Sequence, residues 1–390
     1  MRGAAVIALV AAASLLAGCL RGTPPTSADE PVTAPGEASG TQLFTVASAD
    51  GTQISGQVDR PVGGDGDAPV VVMVAGTGPF NRDVNFGQSG TPRDAVFADL
   101  SARFAAAGIA TVRYDRRGVR YKPDDGQVLD KAVSGISTVE TQRDDLAAVY
   151  ELARGESGCV ALLGHSEGAQ HIANLAVTGA PAPAMVVGIG APLQAPADVF
   201  KWQAAGRDTF SLRMMDADGD GTTTNDEVRA NLETTPSAAY GMLTPFLHPD
   251  GEWTPEALDQ LVVTQAGLFE IGKSQALAMN PDAPYPDANT PMAKYNWWQN
   301  WYTDDVPVAE KLAAWDVPML FYYGNRDSQV RYEFQQPAAG EALGSRAEIH
   351  ILPGLGHALG EHVLYGPMDE AAADALVART AAILAERCAP

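Results

Sequence analysis

The sequence predicts an α/β protein: a doubly wound, mostly parallel sheet with a helical cap inserted in its second half. Three observations predict it. Short apolar runs such as Val70 to Ala75, rich in β-branched residues, read as strands buried on both faces. Amphipathic stretches of helical period alternate with those runs. Residues 198–315 break the rhythm with helical patterns, prolines and dense aromatics, and strands resume after them. The 390 residues suffice for one large or two ordinary domains. At 46% hydrophobic and 19% charged the chain is globular, neither disordered nor fibrous. Its 48 acidic and 26 basic residues give a formal net charge of −22. That charge repels nucleic-acid phosphates and anionic lipid surfaces, so nucleic acid is excluded as a partner. It suits a solvated surface or cation binding.

The amino terminus reads as a targeting segment. Arg2 precedes an apolar run, Ala4 to Leu16, too short to span a bilayer and of the length of a signal core. It ends in Leu16-Ala17-Gly18-Cys19, which resembles the bacterial lipoprotein signal. The resemblance implies removal of residues 1–18 and lipidation of Cys19, which anchors an exported protein to the cell envelope membrane. An ordinary secretory signal is the alternative. Residues 19–40, rich in Pro, Thr, Ser, Ala and Gly, read as a flexible tether. Export makes disulfides permissible, and Cys159 and Cys388 remain once Cys19 is lipidated. A strand start and a helix end share one edge of an α/β sheet, so a Cys159–Cys388 bridge is allowed; two free thiols are the alternative.

The body follows in order. Residues 41–60 alternate around Asp50-Gly51 as a hairpin. Strands are expected at Val70–Ala75, Ile109–Tyr114, Cys159–Leu163, Met185–Ile189, Met319–Tyr323 and Glu348–Leu352. Helices are expected at Ala95–Ala107, Thr138–Ala153, Ala169–Thr178 and Asp369–Arg387. This divides the chain into a first core part (41–197), a cap (198–315) and a second core part (316–390).

Gly164-His165-Ser166-Glu167-Gly168 fits G-x-S-x-G, directly after a strand and opening a helix, which is the context a nucleophile elbow requires. A serine hydroxyl needs a base, and the base an orienting acid. Asp327 and His357 each follow a strand, so both lie on the edge that presents Ser166. His362 is the rival base. The oxyanion donors are expected from the backbone of Glu167 and of Thr77, in the glycine-containing loop after Val70–Ala75. On these residues the chain resembles the α/β-hydrolases, near the serine aminopeptidase-like and dienelactone-hydrolase-like esterases. The loop Ala75-Gly76-Thr77-Gly78-Pro79-Phe80-Asn81-Arg82-Asp83 matches a His-Gly-Ser-Gly-Pro-x-Asp-Arg-Asp pattern except at Ala75, Thr77 and Asn81. Tyr114-Asp115-Arg116-Arg117-Gly118 resembles the Asp-x-Arg-Gly turn of the same enzymes. The resemblance implies an acyl-enzyme hydrolase and leaves its substrate open.

Within the cap, Asp216 to Glu227 fits an EF-hand loop. Asp216, Asp218, Asp220 and Glu227 fall at carboxylate positions one, three, five and twelve. Gly221 takes the sharp turn, and Thr222 offers its carbonyl. Thr223 stands at position eight, where an aliphatic residue is usual. Asp250 to Thr254 aligns with positions five to nine of a degenerate second loop, Trp253 at position eight; Phe246 and Ala257 then occupy its ligand positions. A solvated Asp-Gly turn is the alternative. Calcium, held structurally, is the one cofactor expected; no organic cofactor is. The aromatic stretch 295–302 is either cap core or an apolar wall over the substrate. The first reading is a carboxylesterase or acyl hydrolase on a small-molecule ester. Two alternatives are an aminopeptidase-type peptidase and a calcium-dependent surface binding protein with a vestigial core.

Overall fold

The computed structural model describes residues 40–388 apart from 62, 64–67, 86–89, 123–125, 235–245, 286–292 and 362–365. The signal segment, nearly all of the tether, Cys19 and His362 lie outside the described residues. Alternating exposure in Gly40–Ala47 (β1) and Gln53–Arg60 (β2) gives an edge hairpin, paired antiparallel from Gly40 with Arg60 to Ala47 with Gln53. Val70–Val74 (β3) is buried on both faces. Val96–Ala106 (α1) leads to the equally buried Ala110–Tyr114 (β4). Val119–Lys122 (β5) and Gly126–Leu129 (β6) form a separate hairpin that the sequence pattern did not announce. Val139–Glu156 (α2), Val160–His165 (β7), Glu167–Ala176 (α3) and Met185–Ile189 (β8) continue the alternation.

The cap holds Pro196–Ala205 (α4), Arg207–Met215 (α5), Thr223–Thr224 (β9), Asn225–Thr234 (α6), Glu252–Trp253 (β10) and Pro255–Leu277 (α7). Pro284–Tyr285 (β11) and Ala293–Lys294 (β12) form a short ladder before Tyr295–Thr303 (α8). The core resumes earlier than the sequence pattern suggested. Val308–Leu312 (α9) buries Val308, Ala309 and Leu312 in the cluster around the sheet, so the cap ends before residue 308 rather than at 315. Met319–Gly324 (β13), Tyr332–Ala342 (α10), Ala347–Leu352 (β14) and Glu370–Arg387 (α11) complete the chain.

Among the described residues eight strands form the main sheet, in the order β1-β2-β4-β3-β7-β8-β13-β14. Only β2 opposes its neighbours there; every pair from β4 to β14 is parallel. Successive strand residues serve opposite faces. Val70, Val72 and Val74 pack with α2, α3, α9 and α10 on one side. Val71 and Met73 pack with Phe97, Leu100 and Phe104 of α1 and Leu376 of α11 on the other. Cys159 and Cys388 are disulfide-bonded, Cα atoms 5.7 Å apart, tying the foot of β7 to the end of α11.

Candidate active site

The chain passes from β3 to β4 on one side, then returns across β3 to β7. The crevice between β3 and β7 is thus the topological switch point, where such sheets place ligands. Ser166 sits there, at the carboxyl end of β7 and the start of α3, with φ 53° and ψ −126°. Holding a non-glycine residue at positive φ costs about 1–3 kcal/mol, and its surroundings enforce it. Ser166 N donates to Ile189 O at 2.9 Å. A Cβ on Gly168 would lie 2.1 Å from Val74 O, and one on Gly164 2.6 Å from Ala169 N. Only glycines let the elbow pack this closely against β3.

Asp327 follows β13 and is 1% exposed. Its Oδ1 accepts from Gln329 N (2.7 Å) and Val330 N (2.9 Å), and its Oδ2 lies 2.8 Å from His357 Nδ1. A carboxylate can only accept, so a proton on Nδ1 serves this contact and leaves Nε2 as the free lone pair of a neutral ring. The loops after β13 and β14 meet backbone to backbone. A Cβ on Gly324 would fall 2.0 Å from Leu355 O, and Arg326 N donates to Leu355 O at 2.9 Å. A Cβ on Gly190 would fall 2.7 Å from His357 Nδ1. Serine and histidine therefore flank one peptide at the end of β8, Ser166 bonded to Ile189 and His357 packed on Gly190.

The loop after β3 crosses the serine. A Cβ on Gly76 would be 2.9 Å from Ser166 Cβ, and Thr77 follows it. Arg82 fixes the loop, donating to Asp115 through N (2.8 Å), Nε (3.1 Å) and Nη2 (2.7 Å) and to Gly56 O (2.9 Å). Arg113 pairs with Asp83 and Asp59 beside it. The Ala75 departure thus leaves the loop anchored by other means.

The links between the side chains of Glu167, Arg116 and Trp297 escaped sequence reasoning. The Glu167 carboxylate accepts from Trp297 Nε1 of α8 at 2.7 Å and lies 3.3 Å from Arg116 Nη1. Burial pushes its carboxyl up, but His171, Arg116 and Trp297 outweigh that and hold it well below the usual carboxylate range. The available signal was a charge inside an elbow that must be buried, with two arginines in the turn after β4. A recess beside the loop is lined by Thr77, Gly78, Arg116, Ser134, Gln142 and Trp297. Trp297 packs in the cap core with Trp298, Trp301 and Phe200 and also lines this recess.

In the cap loop, carboxylate oxygens of Asp216, Asp218 and Glu227 lie within 4.8 Å of one another. Asp216 accepts from Gly219 N (2.8 Å) and Gly221 N (2.9 Å), and Glu227 from Ala217 N (2.7 Å) and Thr224 N (2.8 Å). The Thr224 and Ala217 N–H groups hold the Glu227 carboxyl below its ordinary value. Asp220 is outside this group of three; its Oδ1 accepts from Thr222 N at 2.7 Å. Thr223 pairs with Trp253 across the β9–β10 ladder, position eight facing position eight as the alignment of the two loops requires. Thr223 is buried and its Oγ1 donates to Leu212 O at 2.9 Å, so the hydroxyl is satisfied where an aliphatic group is usual.

Comparison with solved structures identifies the fold. Est1E from Butyrivibrio proteoclasticus, described with ferulic acid bound, aligns at TM-score 0.50 and 13% identity, over 88% of this chain and 100% of its own. The α/β hydrolase GrgF from Penicillium sp. sh18 aligns at 0.49 and 14%, over 90% and 100%. The esterase RhEst1 from Rhodococcus sp. ECU1013 aligns at 0.47 and 19%, over 88% and 99%. No protein-family model matches the sequence, and no curated protein does. The chain has the α/β-hydrolase fold.

His165 lies beneath this site, its ring centroid 5.0 Å from that of His357. Burial, then the nearby His357, push its pKa well below the ordinary value. Above about pH 6.5 it is neutral in folded and unfolded chains alike. Below that, the unfolded chain binds a proton that the folded one refuses, so stability is lost. His165→Gln is expected to flatten the fall in unfolding free energy between pH 7 and pH 5, by up to ~1.4 kcal/mol per pH unit, as read from urea titrations.

Proposed function

We propose that the protein is an exported, lipid-anchored serine hydrolase acting on small to medium carboxylic esters. The observation that carries this is Ser166 at positive φ on a strand–turn–helix elbow, sharing the end of β8 with the His357–Asp327 pair. In the proposed reaction Ser166 Oγ attacks the ester carbonyl carbon as His357 Nε2 takes its proton. Asp327 holds the ring and balances the imidazolium. The oxyanion is received by the N–H groups of Glu167 and Thr77. The ester C–O bond then breaks, the alcohol leaves with the proton, and the acyl group stays on Ser166. Water, deprotonated by the same nitrogen, releases the carboxylic acid and restores the serine. The neighbour Est1E has been described with ferulic acid bound, and esters of carboxylic acids are the class assigned here.

Calcium is proposed as a structural ion of the cap. Three carboxylates converging within 4.8 Å fit one divalent cation with hard oxygen ligands. Bound there, the ion would cancel the mutual repulsion of Asp216, Asp218 and Glu227. Those residues would hold it between α5 and α6. The Leu16-Ala17-Gly18-Cys19 boundary supports the lipid anchor and the export it implies.

Ser166→Ala and His357→Ala should each lower turnover of p-nitrophenyl esters about 10⁴-fold or more. A fluorophosphonate should label the wild type and not Ser166→Ala. An unlabelled wild type points to a binding protein, and activity confined to an aminoacyl-amide panel to a peptidase. EDTA should lower Tm by about 2 °C or more, the shift of roughly 1 kcal/mol, and excess Ca²⁺ should restore it. An EDTA-indifferent Tm removes the calcium proposal. Cys19→Ser should move the protein from the membrane pellet to the soluble fraction; a variant still in the pellet excludes the anchor.

A further inference from the structure

An elbow asks of residue 167 only a backbone N–H, yet Glu167 is 2% exposed and places a carboxyl group inside the protein. Oε1 accepts from Trp297 Nε1, while Oε2 lies 3.3 Å from Arg116 Nη1 and 3.7 Å from His171 Nε2. The same Arg116 Nη1 donates to Gly76 O. Trp297 comes from the cap, Arg116 from the turn after β4, and Gly76 from the loop after β3. One buried carboxyl group thus links the elbow to the cap and to the turn after β4, and through Arg116 to the loop after β3, and its partners are those that a buried charge requires.

Building on the serine-hydrolase reading, we propose that the Glu167 carboxylate is the positioning group of the oxyanion site. It sets the spacing between the segment of Glu167 N and that of Thr77 N, and makes that spacing depend on how the cap is seated. Oxyanion stabilisation is geometric: donors act at about 2.7–3.1 Å from the developing charge. Misplacement by about 1 Å can cost about 100-fold. Arg116 couples the two donor segments because one nitrogen serves Gly76 O and Glu167 Oε2. The indole N–H of Trp297 is the cap's share of the assembly. A neutral residue at 167 releases Arg116 from one side of that coupling and frees the Gly76 carbonyl to move.

The full-length protein is assayed with p-nitrophenyl butyrate, with a trifluoromethyl ketone that forms an oxyanion on Ser166, and with the matching alcohol, which does not. Glu167→Gln is expected to lower kcat about 10- to 100-fold with KM changed less than about threefold. It should weaken the ketone by the same factor and leave the alcohol's Ki unchanged. Trp297→Phe keeps a ring and removes the N–H; a loss of about 3- to 10-fold with the same pattern is expected. The proposal is overturned if Glu167→Gln lowers Tm while kcat per titrated active site holds, or if ketone and alcohol weaken alike. Should Glu167→Gln fail to fold, an unchanged kcat and ketone Ki in Trp297→Phe overturns it alone. Failure of the hydrolase reading looks different: the wild type then neither turns over esters nor takes the fluorophosphonate, and the proposal falls with it.

Discussion

Three charges at the end of β4 govern the rest of this molecule. Asp115, Arg116 and Arg117 are carried into the protein by a strand buried along its whole length. Charges removed from water must be matched, and breaking one buried pair costs about 3–5 kcal/mol. Each match recruits a different segment. Asp115 takes Arg82 of the loop after β3, Arg116 takes Glu167 of the elbow, and Arg117 takes Asp145 of α2 and Asp50 of the first hairpin. The turn therefore holds both the loop after β3 and the elbow that carries Ser166.

On the other side of the serine the charged pair is Asp327 and His357 themselves. There close backbone contact does the positioning. Gly190 and Gly324 sit where a single added carbon would collide with the histidine ring or the Leu355 carbonyl. The site is thus held by electrostatics on one flank and by shape on the other. Trp297 is the point at which the cap reaches the electrostatic flank.

Much of this was legible in the sequence because it depended on local pattern. The β-branched runs gave β3, β4, β7 and β8, and the loops after β13 and β14 gave Asp327 and His357. The pairing of Thr223 with Trp253, each at loop position eight, was readable because turn chemistry fixes loop register. What was not legible depends on long-range pairing. The Glu167–Trp297 bond joins residues 130 apart, and no local property of either announces the other. The cap boundary was misplaced for a related reason: Val308, Ala309 and Leu312 look like any helix, and only their packing against α3 assigns them to the core.

The Cys159–Cys388 bond encloses a span of 229 residues, including the cap, β13, β14 and all three residues of the Ser166 site. Everything between the two sulfurs is a covalent ring. A single proteolytic cut in any cap loop opens that ring without releasing a fragment. The severed halves stay joined at the foot of the strand that presents the serine. Parting the two halves then requires one cut and a reductant, and excising the cap requires two cuts.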